Sequence, residues 1–190
     1  ATNIGMDIKD AYNSFELRKI RDVIRNKFTE HNVKTVLDYG CGGSDWNAPG
    51  FENEESAIDF FSLKRVHRYE PARDIDERAS VDCVVCFDVL EHIYVSDVAT
   101  VLRDIFSHAK KLVILNVACY EANALLPNGE NAHITVRNPH WWKGAIDLIS
   151  VEYPSVSIDL ICSPQYNQMQ AFPTFSDKQR QVDDNFCISY

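Results

Sequence analysis

Apolar residues recur at helical spacing near the start of the chain: Phe15, Leu17, Ile20, Val23, Ile24 and Phe28, with Arg18, Lys19, Arg21 and Arg25 between them. The period predicts an amphipathic helix over 7–31 that covers one face of a sheet. The pattern then changes. Val36-Leu37 opens a short apolar run that ends in Asp38-Tyr39-Gly40-Cys41-Gly42-Gly43, which reads as a buried strand entering a glycine turn. Helical spacing returns over 52–63 through Ala57, Ile58, Phe60, Phe61 and Leu63. The intervening loop 43–51 carries Trp46 and the turn signal Pro49-Gly50. It either closes over a ligand or replaces a turn of helix, and Trp46 reads equally as a lid residue or as packing.

Residues 65–71 predict a second strand ending at Glu70-Pro71, and Val81 to Asp88 is the continuous apolar run of a central parallel strand. The ten residues between them are too few for a helix and a full strand, so the third strand is expected to be short or missing. A helix capped by Ser96 and running to about Ala109 precedes another buried strand, Lys111 to Val117. The segment 118–138 is an insertion with the turn signal Pro127-Asn128-Gly129. If extended, it would set Asn131, His133, Thr135 and Arg137 on one face. Asn138-Pro139 predicts a helix start, with Trp142, Ile146 and Ile149 as the apolar stripe. Two terminal strands, Val156–Cys162 and Asn185–Tyr190, flank a glutamine-rich stretch.

The 190 residues fit one domain, 1–190, and no repeat or linker divides them. With 28 acidic and 19 basic side chains the net charge is −9, a field that disfavours avid nucleic-acid binding. No apolar run reaches the ~20 residues of a membrane span, and no signal-peptide pattern opens the chain; with the cysteines this leads us to expect a cytoplasmic protein. Cys83-x-x-Cys86 lies in a strand, where positions three apart face opposite sides, and no second pair has zinc spacing. Buried reduced thiols are expected, and no metal site.

Asp38 at the strand's end is the chemically informative residue. A phosphate cradle wants amides and positive charge there, so a carboxylate favours a ligand carrying an ammonium. The Asp38–Gly43 stretch resembles motif I of class I S-adenosylmethionine-dependent methyltransferases. Asp88-Val89-Leu90-Glu91-His92 resembles the D-x-L-E-H segment of members that modify small molecules. Asn128-Gly129-x-Asn131-Ala132-His133 followed by Pro139-x-Trp141-Trp142 is similar to a bacterial and phage subgroup.

The resemblance covers roughly 34–150 and implies a Rossmann-like α/β methyltransferase sandwich, mostly parallel with an antiparallel C-terminal strand. It implies S-adenosylmethionine as cofactor. Asp38 would meet the ammonium and Glu70 the ribose hydroxyls. Gly40, Cys41, Gly42 and Pro71 would line the site, and Phe87 and Asp88 the methionine end, with Asp74 or Asp76 as candidates for the adenine amine. The expected reaction is transfer to a small polar acceptor, an oxygen of a sugar or related metabolite. His133 and His92 are the acid–base candidates, with His92 also readable as an orienting group. Asn131, Arg137 and Trp141 are expected on the acceptor side. Ser44, where a third glycine is usual, and the broken helix after it also fit a non-catalytic binding relative. Asn138-Pro139-His140-Trp141 is similar to the N-P-P-aromatic signature of nucleobase methyltransferases, a minor alternative to its reading as a helix start. The number of subunits is not encoded in any pattern identified in the chain.

Overall fold

The computed structural model describes residues 15–165 and 168–172. Its centre is a strand pair chosen by hydrophobicity: β1 (Thr35–Tyr39) and β4 (Val81–Phe87), whose Val36, Leu37, Val84 and Val85 are fully buried. They pair in parallel, and the sheet grows outward from them. The strands β2 (Arg65–Glu70), β3 (Ile75–Asp76), β5 (Ala109–Ala118), β6 (Ser157–Gln165) and β7 (Gln168–Phe172) complete the order β3-β2-β1-β4-β5-β6-β7. β2, β1, β4, β5 and β6 run parallel, while β3 and β7 are antiparallel edges. The result is a Rossmann-like α/β sandwich.

The third strand is short, as expected: two residues, pairing Tyr69 with Asp76 and Glu70 with Ile75. The C-terminal end differs from expectation. β6 joins β5 in parallel, and its antiparallel partner is β7, inside the glutamine-rich stretch read as a connector. A polar edge strand lacks the apolar run that betrays a buried one. The expected strand 185–190 lies outside the described residues.

Two cores flank the sheet. One holds Ile24, Phe28, Trp46, Phe60 and Phe61 against β1, β4 and β5. The other holds Leu102, Phe106, Trp142 and Ile146 on the opposite face. The helices α1 (Phe15–Lys19) and α2 (Arg21–Glu30) replace the single helix expected over 7–31; the chain breaks at Ile20, and 7–14 is not described. α3 (Ala57–Phe60) is a single turn capped by Ser56, shorter than the expected 52–63. α4 (Val95–His108) starts at Tyr94 without a side-chain cap, and Ser96 instead donates to Asp97 at 3.2 Å. α5 (Pro139–Ser150) begins as predicted: the Asn138 side chain accepts from the Trp141 amide at 2.9 Å. That bond occupies the Asn138 oxygen and accounts for the N-P-x-aromatic run as a helix start. Cys83 and Cys86, both fully buried, fall in opposite cores. Among the described residues no helix is long and apolar enough to cross a membrane.

Candidate active site

The carboxyl ends of β1, β2 and β4 open onto a cavity of about 760 Å³, within the range of small-molecule sites. The strand-end residues assigned to the cofactor by resemblance border it, from Asp38 and the glycine turn through Glu70 and Pro71 to Phe87 and Asp88. Parallel strands bring their ends to one edge, so residues fifty apart in sequence share this site.

The glycine turn is held by the end of β2. The amides of Gly40 and Cys41 donate to the Tyr69 carbonyl at 2.8 and 3.1 Å, and the Gly42 amide donates to Glu70 Oε2 at 3.0 Å. Glu70 Oε1 accepts from the Ala72 amide at 3.2 Å. Glu70 thus fixes the turn as well as facing the cavity, and the turn's amides are directed at protein acceptors rather than at a phosphate. Gly40 has φ +77°, and a Cβ there would lie 2.3 Å from Val89 Cγ2. Gly40→Ala is therefore expected to lower stability by about 2–4 kcal/mol through backbone strain and overpacking. Thermal unfolding of Gly40→Ala alone and with Val89→Ala checks this: the second change should restore part of the loss.

Asp38 is buried, and the indole of Trp46 donates to its Oδ2 at 2.7 Å. Burial raises its pKa to about 6, with the Trp46 bond opposing and the Glu70 charge adding to the rise. Trp46 is 2% exposed and packs on Phe61, so it is core and anchor, not a mobile lid. The loop around it carries no helix before Ala57, and Ser44 and Trp46 form cavity wall. Burial pushes the Cys41 thiol up to about 12, so it stays protonated at neutral pH. Asp74 and Asp76 do not border the cavity, and Asp76 is paired with Arg78 at 2.7 Å.

On the far side, the D-x-L-E-H segment turns sharply. Asp88 has φ +52°, and Leu90–His92 is a single 3₁₀ turn. The inserted segment is irregular rather than extended. Thr135, expected on a polar face, is fully buried: its amide donates to the Glu91 carbonyl at 2.9 Å and its hydroxyl to the Ile93 carbonyl at 2.6 Å. These bonds dock the segment onto the strand-end turn.

The docking brings His92 and His133 together, with ring centroids 4.9 Å apart at 78°. His92 Nδ1 lies 2.7 Å from the Ala132 carbonyl, and His133 Nδ1 lies 2.5 Å from the Tyr120 carbonyl. A carbonyl only accepts, so each Nδ1 carries the proton and each Nε2 is left as a base. Burial lowers the pKa of His92, and the His133 charge lowers it further. His92 borders the cavity; His133 does not.

Asn131, Arg137 and Trp141 do not border the cavity. The Asn131 amide is committed to the backbone of Ala122 and His133, and so shapes the insertion. Arg137 donates to the Val136 carbonyl and lies 5.7 Å from the Trp141 ring centre. Glu91, given no role from sequence, is fully buried; its Oε1 accepts from the Ala118 amide at 2.9 Å. Burial, reinforced by the Asp88 charge, raises its pKa well above the usual carboxylate value. A glutamate inside the apolar run Val89-Leu90-Glu91-His92-Ile93 was the available signal.

Residues 12–148 match the family described as a methyltransferase domain. The chain belongs to that family. No curated protein and no solved structure matches it. The matched region runs through the cavity and the paired histidines and ends within α5.

Proposed function

We propose that the protein transfers a methyl group from S-adenosylmethionine to a hydroxyl oxygen of a small polar acceptor, a sugar or a related metabolite. The observation that carries the cofactor reading is Asp38: a buried carboxylate at a strand end, its Oδ2 fixed by Trp46, facing a cavity of suitable size. Such a group fits the ammonium of the methionine moiety, with Glu70 at the adjoining strand end placed for ribose hydroxyls. When bound, the cofactor supplies a methyl group on a positively charged sulfur.

The chain's own work is alignment and proton removal. Phe87 and Asp88 wall the cavity beside the His92 side, and a neutral histidine Nε2 accepts the proton as the acceptor oxygen forms its bond to carbon. Asp38 and Glu70 would hold the cofactor as it gives up the methyl group and keeps the C–S electron pair on its sulfur.

The cavity bordered by Ser44 and Trp46 supports this reading over the non-catalytic one, which the altered glycine motif had suggested. Calorimetric titration with S-adenosylmethionine and S-adenosylhomocysteine tests it, followed by an acceptor screen beginning with sugars. Binding of neither would favour the non-catalytic reading.

The raised pKa of Asp38 gives the binding a pH signature. The ammonium requires the ionised carboxylate, which prevails above about pH 6. Affinity is expected to be roughly tenfold weaker at pH 5 than at pH 8, one pH unit below the pKa leaving about a tenth ionised. Equal affinity at the two pH values would remove Asp38 from this role.

A further inference from the structure

We propose that Glu91, His92 and His133 hold a divalent first-row transition-metal ion beside the cavity. One ligand atom from each of the three side chains lies within 4.8 Å of the others. Both histidines have the orientation that metal ligands need: Nδ1–H is fixed by a backbone carbonyl, Ala132 for one and Tyr120 for the other, which leaves Nε2 for the ion.

The independent observation is Glu91. It is fully buried, and its Oε2 has no hydrogen-bond partner. A buried polar oxygen left without a partner is costly, and a cation would satisfy it. An ion bound at about 2.1 Å spaces tetrahedral ligand atoms by about 3.4 Å, and one donor atom of each side chain already lies within 4.8 Å of the others, so small side-chain movements close the set. Two imidazoles and one carboxylate favour zinc, manganese, iron or cobalt over magnesium and calcium, which prefer all-oxygen shells.

The backbone prepares the set. Glu91 and His92 sit on one 3₁₀ turn, and the Thr135 amide bonded to the Glu91 carbonyl brings in the segment that carries His133. The sequence hid the site because its ligands come from two segments and include no cysteine.

The ion's role rests on the methyl-transfer reading; the ion site does not. With both Nε2 atoms bound to the ion, neither histidine accepts the proton, and the ion takes over that part: a hydroxyl coordinated to it loses its proton more readily. The O–H bond breaks with the proton passing to water, and the oxygen's pair forms the bond to the methyl carbon as the C–S pair returns to sulfur.

The test uses the tag-free full chain, stripped with a chelator and titrated with Co²⁺, Zn²⁺, Mn²⁺ and Mg²⁺. Calorimetry gives stoichiometry and affinity, and absorption reports the cobalt ligand field. The expected result is one equivalent of transition metal, bound more tightly than Mg²⁺, with a nitrogen-ligated cobalt spectrum. Glu91→Gln, which keeps the Ala118 bond, and His133→Ala should each weaken binding at least about tenfold. No stoichiometric binding would overturn the proposal, and so would equal binding by both folded variants. S-adenosylmethionine titrated into the same samples separates the two readings. Cofactor binding without metal binding sinks the ion site alone, whereas metal binding without cofactor binding sinks the methyl-transfer reading alone.

Discussion

Asp38→Asn is expected to weaken S-adenosylmethionine binding by about 10²-fold or more, because it leaves a desolvated ammonium without its counter-charge. The same change should leave the fold intact. Asparagine keeps an oxygen for the Trp46 indole, which is 2.7 Å from Oδ2 in the parent protein. Free of ligand, the variant should be the more stable one at neutral pH. The Asp38 carboxyl has a folded-state pKa raised from 3.8 to about 6 by burial. Below the lower value both folded and unfolded chains carry the proton and nothing is lost. As pH rises through about 6 the folded chain must ionise a buried group, and stability falls by roughly 3 kcal/mol. Thermal unfolding should therefore show Asp38→Asn above the parent protein at pH 8 and level with it at pH 3.5. Unchanged cofactor affinity in this variant would remove the ammonium assignment, whatever the unfolding data show.

His133→Ala is expected to slow turnover by about 10²-fold or more while cofactor affinity stays near that of the parent protein. The separation follows from position. His133 faces His92 across 4.9 Å between ring centres, beyond the D-x-L-E-H turn, and does not border the cavity where Asp38 and Glu70 lie. The loss is expected whether Nε2 takes the proton directly or holds an ion that promotes its departure. Steady-state kinetics beside cofactor calorimetry is the measurement. Normal turnover would exclude both roles; a matching loss of cofactor affinity would instead show that the insertion shapes the cofactor end.

The parts of the fold that were legible in the chain are those where a local rule and the tertiary environment agree. Val36 and Leu37 lead into glycines because the strand is buried and the turn after it requires positive φ at Gly40 and Gly42. Asn138-Pro139 starts α5 because cap chemistry is local. The features that escaped were set by long-range partners. Trp46 reads as lid or packing until Asp38 is seen beneath its indole. Thr135 fits a polar face until the Glu91 and Ile93 carbonyls bury it. Asn131 resembles a substrate ligand, yet its amide groups are used by the segment's own backbone. β7 lacked an apolar run because it is an edge strand.

The anchoring of the insertion also divides labour within it. Its later half is bound to the strand-end turn through Thr135, and its beginning is bound to His133 through the Tyr120 carbonyl. Between these ties the chain folds back on itself: Asn131 clasps Ala122, and the Leu126–Gly129 turn projects outward with Leu125 68% exposed. Lengthening or recolouring that tip would not disturb the histidines. A lineage could therefore vary this exposed turn while the histidine pair stayed fixed.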